Sequence, residues 1–137
     1  MELSFKIEGG NFSGAGSASS EVKRTLKQLD VDASQIKRIV IALYEAEINV
    51  VAHAFGGKIE VKISADKVFA RIQDQGPGIA DISKAMQEGY STASSKVREM
   101  GFGAGMGLPN IKSNVDVFDI QSVVNEGTVL EMTFYLS

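Results

Sequence analysis

The sequence contains no cysteine, no tryptophan, one histidine and two prolines among 137 residues. Without thiols, disulfide frameworks, thiolate zinc sites and cysteine nucleophiles are excluded. A lone histidine also removes most imidazole-based metal sites. Basic residues never gather into a block: 14 Lys and Arg are spread along the chain against 17 Asp and Glu, giving a net charge of -3. Nucleic acid or an anionic membrane is therefore not the expected partner, because each is bound by a concentrated positive face. No apolar run approaches the roughly 20 residues that cross a bilayer. The start, MELSFKIEGG, lacks the basic-then-apolar order of a signal peptide. A cytoplasmic address follows by elimination.

What is present suits a globular protein, with 44% hydrophobic and 23% charged residues. The length fits one domain spanning residues 1–137. Leu3 to Glu8 alternate apolar and polar, as a half-buried strand does. A Gly/Ser-rich loop follows, ending in hydroxyls suited to capping a helix from about Ser20 to Leu29. Gln35 to Ala54 carries the strongest helical pattern, with Asp32 or Ser34 as its cap. Lys58 to Ser64 and Lys67 to Gln73 alternate on either side of a short turn and predict an antiparallel hairpin. Asp81 to Glu88 and Leu108 to Asn114 predict short helices flanking a polar, glycine-bearing segment, Gly89 to Gly107. Val115 to Val124 and Thr128 to Leu136 close the chain as two more strands. The order predicts an α+β fold: a two-layer α/β sandwich, with helices on one face of a mixed, mostly antiparallel sheet.

Three polar features interrupt these patterns. On the long helix Glu45, Asn49 and His53 recur every four residues and share one side, about 6 Å between neighbours. A carboxylate there can accept a proton and an amide oxygen can ligate Mg²⁺; a solvated helix face fits the same spacing. Glu47 points elsewhere and reads as surface. Directly after a strand comes Asp74-Gln-Gly76-Pro-Gly78-Ile79, where glycines admit close approach of a ligand and Asp74 can accept from an exocyclic amine. On those letters alone, a turn with a capping Asp is the simpler reading. Finally, Gly101-Phe-Gly103-Ala-Gly105-Met-Gly107 precedes a helix and would present N–H groups to phosphate, or form a plain flexible loop. Neither a Walker A loop nor a Rossmann fingerprint is present.

Together, E-x-x-x-N on a long helix, D-x-G-x-G after a strand, G-x-G-x-G before a helix and a late Gly-Thr resemble the N, G1, G2 and G3 boxes of the GHKL (Bergerat-fold) ATPase/kinase superfamily. The resemblance spans nearly the whole chain. DQGPGI, EGYSTAS and GAGMGLPNIK are most similar to the stand-alone serine kinases of bacterial sigma-factor control, the anti-sigma and switch-kinase group. The resemblance implies ATP and Mg²⁺ as cofactors. It implies Glu45 as the catalytic base, Asn49 as the Mg²⁺ ligand, and Asp74 with Thr128 as the readers of adenine. Gly76 and Gly78 would shape the base pocket, and Gly103, Gly105 and Gly107 would wrap the phosphates. Lys96, Arg98 and Lys112 are weaker candidates for offsetting phosphate charge, and a solvated lid suits the first two better. The charged insert SSKVREMG makes this lid longer than the family's most compact members carry. The implied activity is transfer of phosphate to a serine of a STAS-domain partner. A sigma factor, a phosphatase or a second copy of the chain are further partner candidates. The competing class is a non-catalytic binding module switched by ATP and ADP, for which the same boxes would serve. A histidine-kinase catalytic half would require an added dimerising helical domain.

Overall fold

The computed structural model describes residues 1–79, 81–86 and 107–136. Gly103, Gly105, Lys96, Arg98 and most of the expected lid lie outside the described residues. The elements run β1 (Glu2–Glu8), a 3-10 turn (Phe12–Gly14), α1 (Ser17–Gln28), α2 (Ala33–His53), β2 (Gly56–Ile63) and β3 (Lys67–Gln75). After these come α3 (Ile82–Ala85), α4 (Gly107–Asn114), β4 (Val117–Val123) and β5 (Gly127–Tyr135).

The strands form one sheet in the order β1-β2-β3-β5-β4. Each of its four pairings is antiparallel, so the sheet expected to be mostly antiparallel is wholly so among the described residues. Period-2 alternation explains the layering. Ile59, Val61 and Ile63 of β2, Val68, Ala70 and Ile72 of β3, and Leu130, Met132 and Phe134 of β5 are all buried. The residues between them, such as Lys58, Lys62 and Arg71, face water. Over the apolar face lie α1 (Val22, Leu26), α2 (Ile39, Leu43, Val50) and α4 (Ile111) in one continuous core.

Among the differences from expectation, which include α1 starting at Ser17 and α4 at Gly107, two have a local physical cause. β2 begins at Gly56 rather than Lys58, because Gly56 and Gly57 pair with Gln75 and Asp74 across the hairpin and lengthen the ladder. The cap of α1 is also different. Its first turn begins at Gly16, which has no side-chain capping bond. The acceptor comes from α2 instead: Glu47 takes the Gly16 N–H at 2.9 Å and the Ala18 N–H at 3.3 Å on one oxygen, and the Ser19 N–H at 3.1 Å on the other. Glu47, expected at the surface, is 1% exposed. A helix N-terminus carries unpaired N–H groups and partial positive charge, so a carboxylate delivered by a neighbouring helix serves both. Asp32 caps α2 as one of the two expected choices, accepting from Ser34 N at 3.1 Å.

Arg38 anchors the far end of α4. Its guanidinium donates to the Asn114 carbonyl at 3.2 Å, the Asp116 carboxylate at 2.7 Å and the Tyr135 carbonyl at 2.9 Å. The Tyr135 N–H and then Arg38 hold the Asp116 carboxyl below its ordinary range. One α2 side chain thus fixes α4 relative to both α2 and β5, and with it the residue at the other end of α4, Gly107.

Candidate functional site

Asp74 stands near the end of β3, half-buried. Its Oδ1 accepts from the Thr128 N–H at 3.2 Å. Burial pushes its pKa up, and the Thr128 N–H opposes that rise. Gly127, the residue before Thr128, packs so tightly that a Cβ would lie 2.1 Å from the Asp74 carbonyl oxygen; its φ of 149° is also glycine-favouring. The expected pairing of Asp74 with Thr128 is therefore a direct contact between β3 and β5.

The Gly76–Ile79 turn is clamped to the β4–β5 turn. Gly76 N–H donates to the Glu126 carbonyl at 3.4 Å, Asn125 N–H to the Pro77 carbonyl at 2.8 Å, and Ile79 N–H to the Ser122 hydroxyl at 2.7 Å. Gly78 has a φ of 73°, and a Cβ there would meet the Val123 carbonyl oxygen at 2.4 Å, so only glycine allows this approach. On the opposite side Gly76 rests on Ala54, just past the end of α2, where a Cβ added at Gly76 would stand 3.0 Å from the Ala54 Cα.

The helix supplies the second half of the site. Asn49 and Glu45 are half-buried on α2, and neither side chain makes a hydrogen bond or ion pair with a described residue. A Cβ at Gly107 would stand 3.0 Å from the Asn49 side-chain oxygen, so α4 starts directly against that amide. A Cβ at Gly57 would sit 3.1 Å from Val50 and 3.2 Å from the Asp74 Cα, which ties the last turns of α2 to Asp74. His53 is half-buried on the same stripe, and loss of solvent lowers its pKa. The arrangement is continuous: Asp74 and Thr128 beside the end of α2, then Asn49 against Gly107, then Glu45 one turn further back.

Asn49 suits a hard cation, since an amide oxygen ligates Mg²⁺ and substrate phosphates commonly complete that ion's shell. Among the described residues no group of three or more His, Asp or Glu is placed to hold a metal by itself. Two contributors escaped the sequence reading. Ser122 is one residue of an ordinary alternating strand, and Ala54 marks only the end of a helix; neither carries a signal that separates it from a structural residue.

Residues 15–134 match the family model described as the histidine kinase-like ATPase domain. The chain is 34% identical over 120 residues to the serine/threonine-protein kinase RsbT of Bacillus subtilis (strain 168), covering 83% of each protein. It is 33% identical over 141 residues to the anti-sigma F factor of Thermoanaerobacter sp. (strain X514), covering 99% of this chain and 93% of that one. Among solved structures, the RsbU and RsbW domains of Rv1364c from Mycobacterium tuberculosis share the fold, with a TM-score of 0.68 at 18% identity. That match covers 99% of this chain and 32% of the longer one. No helix among the described residues is long and apolar enough to cross a membrane. With a family model spanning most of its length, this chain belongs to the histidine kinase-like ATPase domain family.

Proposed function

We propose that this chain is an ATP-dependent serine/threonine protein kinase of the anti-sigma and switch type, phosphorylating a serine on a STAS-domain partner in a bacterial cytoplasmic circuit. The observation that carries the reading is the convergence of Asn49 on Gly107 while Asp74 is fixed by Thr128 at the end of the same helix. In this reading Asp74 and Thr128 hold the adenine amine, and Gly76 and Gly78 form the floor beneath the base. Gly107, with Gly103 and Gly105, lends backbone N–H groups to the phosphates. Asn49 would hold Mg²⁺, which when bound neutralises phosphate charge. Glu45 accepts the proton of the partner's serine as its oxygen bonds to the γ-phosphorus and ADP departs. Positioning and charge neutralisation carry most of such a reaction, with little covalent work left to the protein.

The test is transfer of ³²P from ATP to purified STAS proteins encoded beside this gene. Serine labelling of one of them is expected, and its absence across the set would count against the kinase reading. Relatives named anti-sigma factors favour the second reading, a nucleotide-switched binder without transfer. Capture of a sigma factor with ATP but not ADP, with no labelling of any STAS protein, would select it.

The base pocket has its own test. Asp74→Asn is expected to weaken ATP and ADP alike by about tenfold, the scale of one charge-assisted hydrogen bond. Because burial raises the Asp74 pKa above its ordinary value, its protonated form gains population at a higher pH than for an exposed aspartate. ADP affinity should therefore fall on acidification at a higher pH than an ordinary aspartate would give, and Asp74→Asn should remove that component. Calorimetric titration of both proteins across pH reads both effects. Equal affinity for parent and variant would place the base elsewhere.

A further inference from the structure

We propose that Ser122 is a positioning residue that makes the Thr128 hydroxyl a hydrogen-bond acceptor, and so sets the preference for a 6-amino over a 6-oxo purine. This rests on the base-pocket reading above and extends it to a residue outside the recognised boxes.

The argument is one of valence. A serine hydroxyl has one proton and two lone pairs. One lone pair of Ser122 takes the Ile79 N–H at 2.7 Å. Two partners remain in reach, the Gly127 carbonyl at 3.1 Å and the Thr128 hydroxyl at 2.8 Å. The carbonyl can only accept, so Ser122 must be the donor there. Its second lone pair is then left for Thr128, which has to spend its own proton on Ser122. This arrangement forms three hydrogen bonds around Ser122. The reverse direction, Ser122 donating to Thr128, surrenders the bond to Gly127.

The consequence falls on the ligand side. With its proton committed, Thr128 offers only lone pairs toward the base. Asp74 Oδ1 already accepts from the Thr128 N–H, and its other oxygen bonds no described residue. Asp74 and Thr128 together therefore present acceptors alone. An exocyclic amine supplies two N–H donors and satisfies them, as in adenine. A 6-oxo purine puts a third acceptor where the amine would stand; its N1–H is a donor, but both donors at C6 are lost, so the lone pairs facing that position go unmatched, which costs affinity when the groups are shielded from water.

Calorimetric titration of ADP and of inosine diphosphate, each with Mg²⁺, against the parent protein, Ser122→Ala and Ser122→Thr tests this. Ser122→Ala frees the Thr128 proton, so ADP affinity should drop about tenfold while inosine diphosphate affinity holds or rises. The ratio of the two then falls at least about tenfold. Ser122→Thr keeps the hydroxyl and should keep the parent ratio. An equal loss for both nucleotides would mean that Ser122 merely stiffens the turn, and unchanged ADP affinity in a folded Ser122→Ala protein would mean no role; either overturns the assignment. Should Ser122→Ala lose its melting transition, Ser122→Cys, closer in volume, carries the same comparison. Asp74→Asn serves as the control for the underlying reading. If it leaves ADP affinity intact, the base pocket itself is misplaced; if it weakens ADP while Ser122→Ala leaves the ratio alone, only the Ser122 role fails.

Discussion

Alanine at Glu45 is expected to lower phosphoryl transfer to the partner's serine by about 10²- to 10⁴-fold, the usual contribution of a positioned general base. ADP affinity and melting temperature should both stay close to the parent values. The contrast follows from the side chain's surroundings. Glu45 is half-buried on α2 and its side chain makes no hydrogen bond or ion pair with a described residue, so its removal leaves no described donor stranded in the interior. It lies one helical turn before Asn49, beyond the residues proposed to grip base and metal, so ground-state binding of nucleotide should not register its loss. Single-turnover transfer, calorimetric ADP binding and a thermal melt on the same preparation separate the three quantities. Transfer persisting at the parent rate would remove Glu45 from the chemistry and favour the binding-module reading.

Alanine at Glu47, two residues further along the same helix, should do the opposite. About 4 kcal/mol of stability should be lost, since two fully buried N–H groups and one partly buried one each lose their acceptor at about 1–3 kcal/mol apiece, partly relieved by water. That is a large share of the 5–15 kcal/mol typical of a folded domain. It corresponds to a fall in melting temperature of about 15 °C. Glu47→Gln keeps one acceptor oxygen but turns an NH₂ toward the amides, so an intermediate loss is expected. Urea denaturation of the three proteins measures this series. A melting temperature within about 3 °C of the parent for Glu47→Ala would show that α1 does not depend on this carboxylate.

The two glutamates illustrate what a single sequence conveys about position. They stand about 200° apart around the helix axis, so periodicity alone separates their directions. It assigned Glu45 to the polar stripe, and the structure places Asn49 of that stripe against Gly107. It had no means of seeing that Glu47 meets another helix, because its donors at Gly16, Ala18 and Ser19 lie about 30 residues away in the chain. A buried carboxylate and a surface one look identical until their neighbours are known. The same limit hid Ser122, whose importance comes from partners on two other segments rather than from its own flanking residues.

Local patterns settled the elements themselves. Alternating strands, the 3.6-residue repeat of α2, the Asp32 cap and the short turn between β2 and β3 all depend on interactions within a few residues, and these are legible without tertiary context. The motif spacing likewise identified the family. What only the folded chain decided was which distant segments meet, how Arg38 fastens α4, and how closely the β4–β5 turn locks onto Gly76–Ile79. Such contacts are set by the packing of residues distant in sequence, where burial and hydrogen-bond valence act jointly, and a one-dimensional pattern holds no record of either.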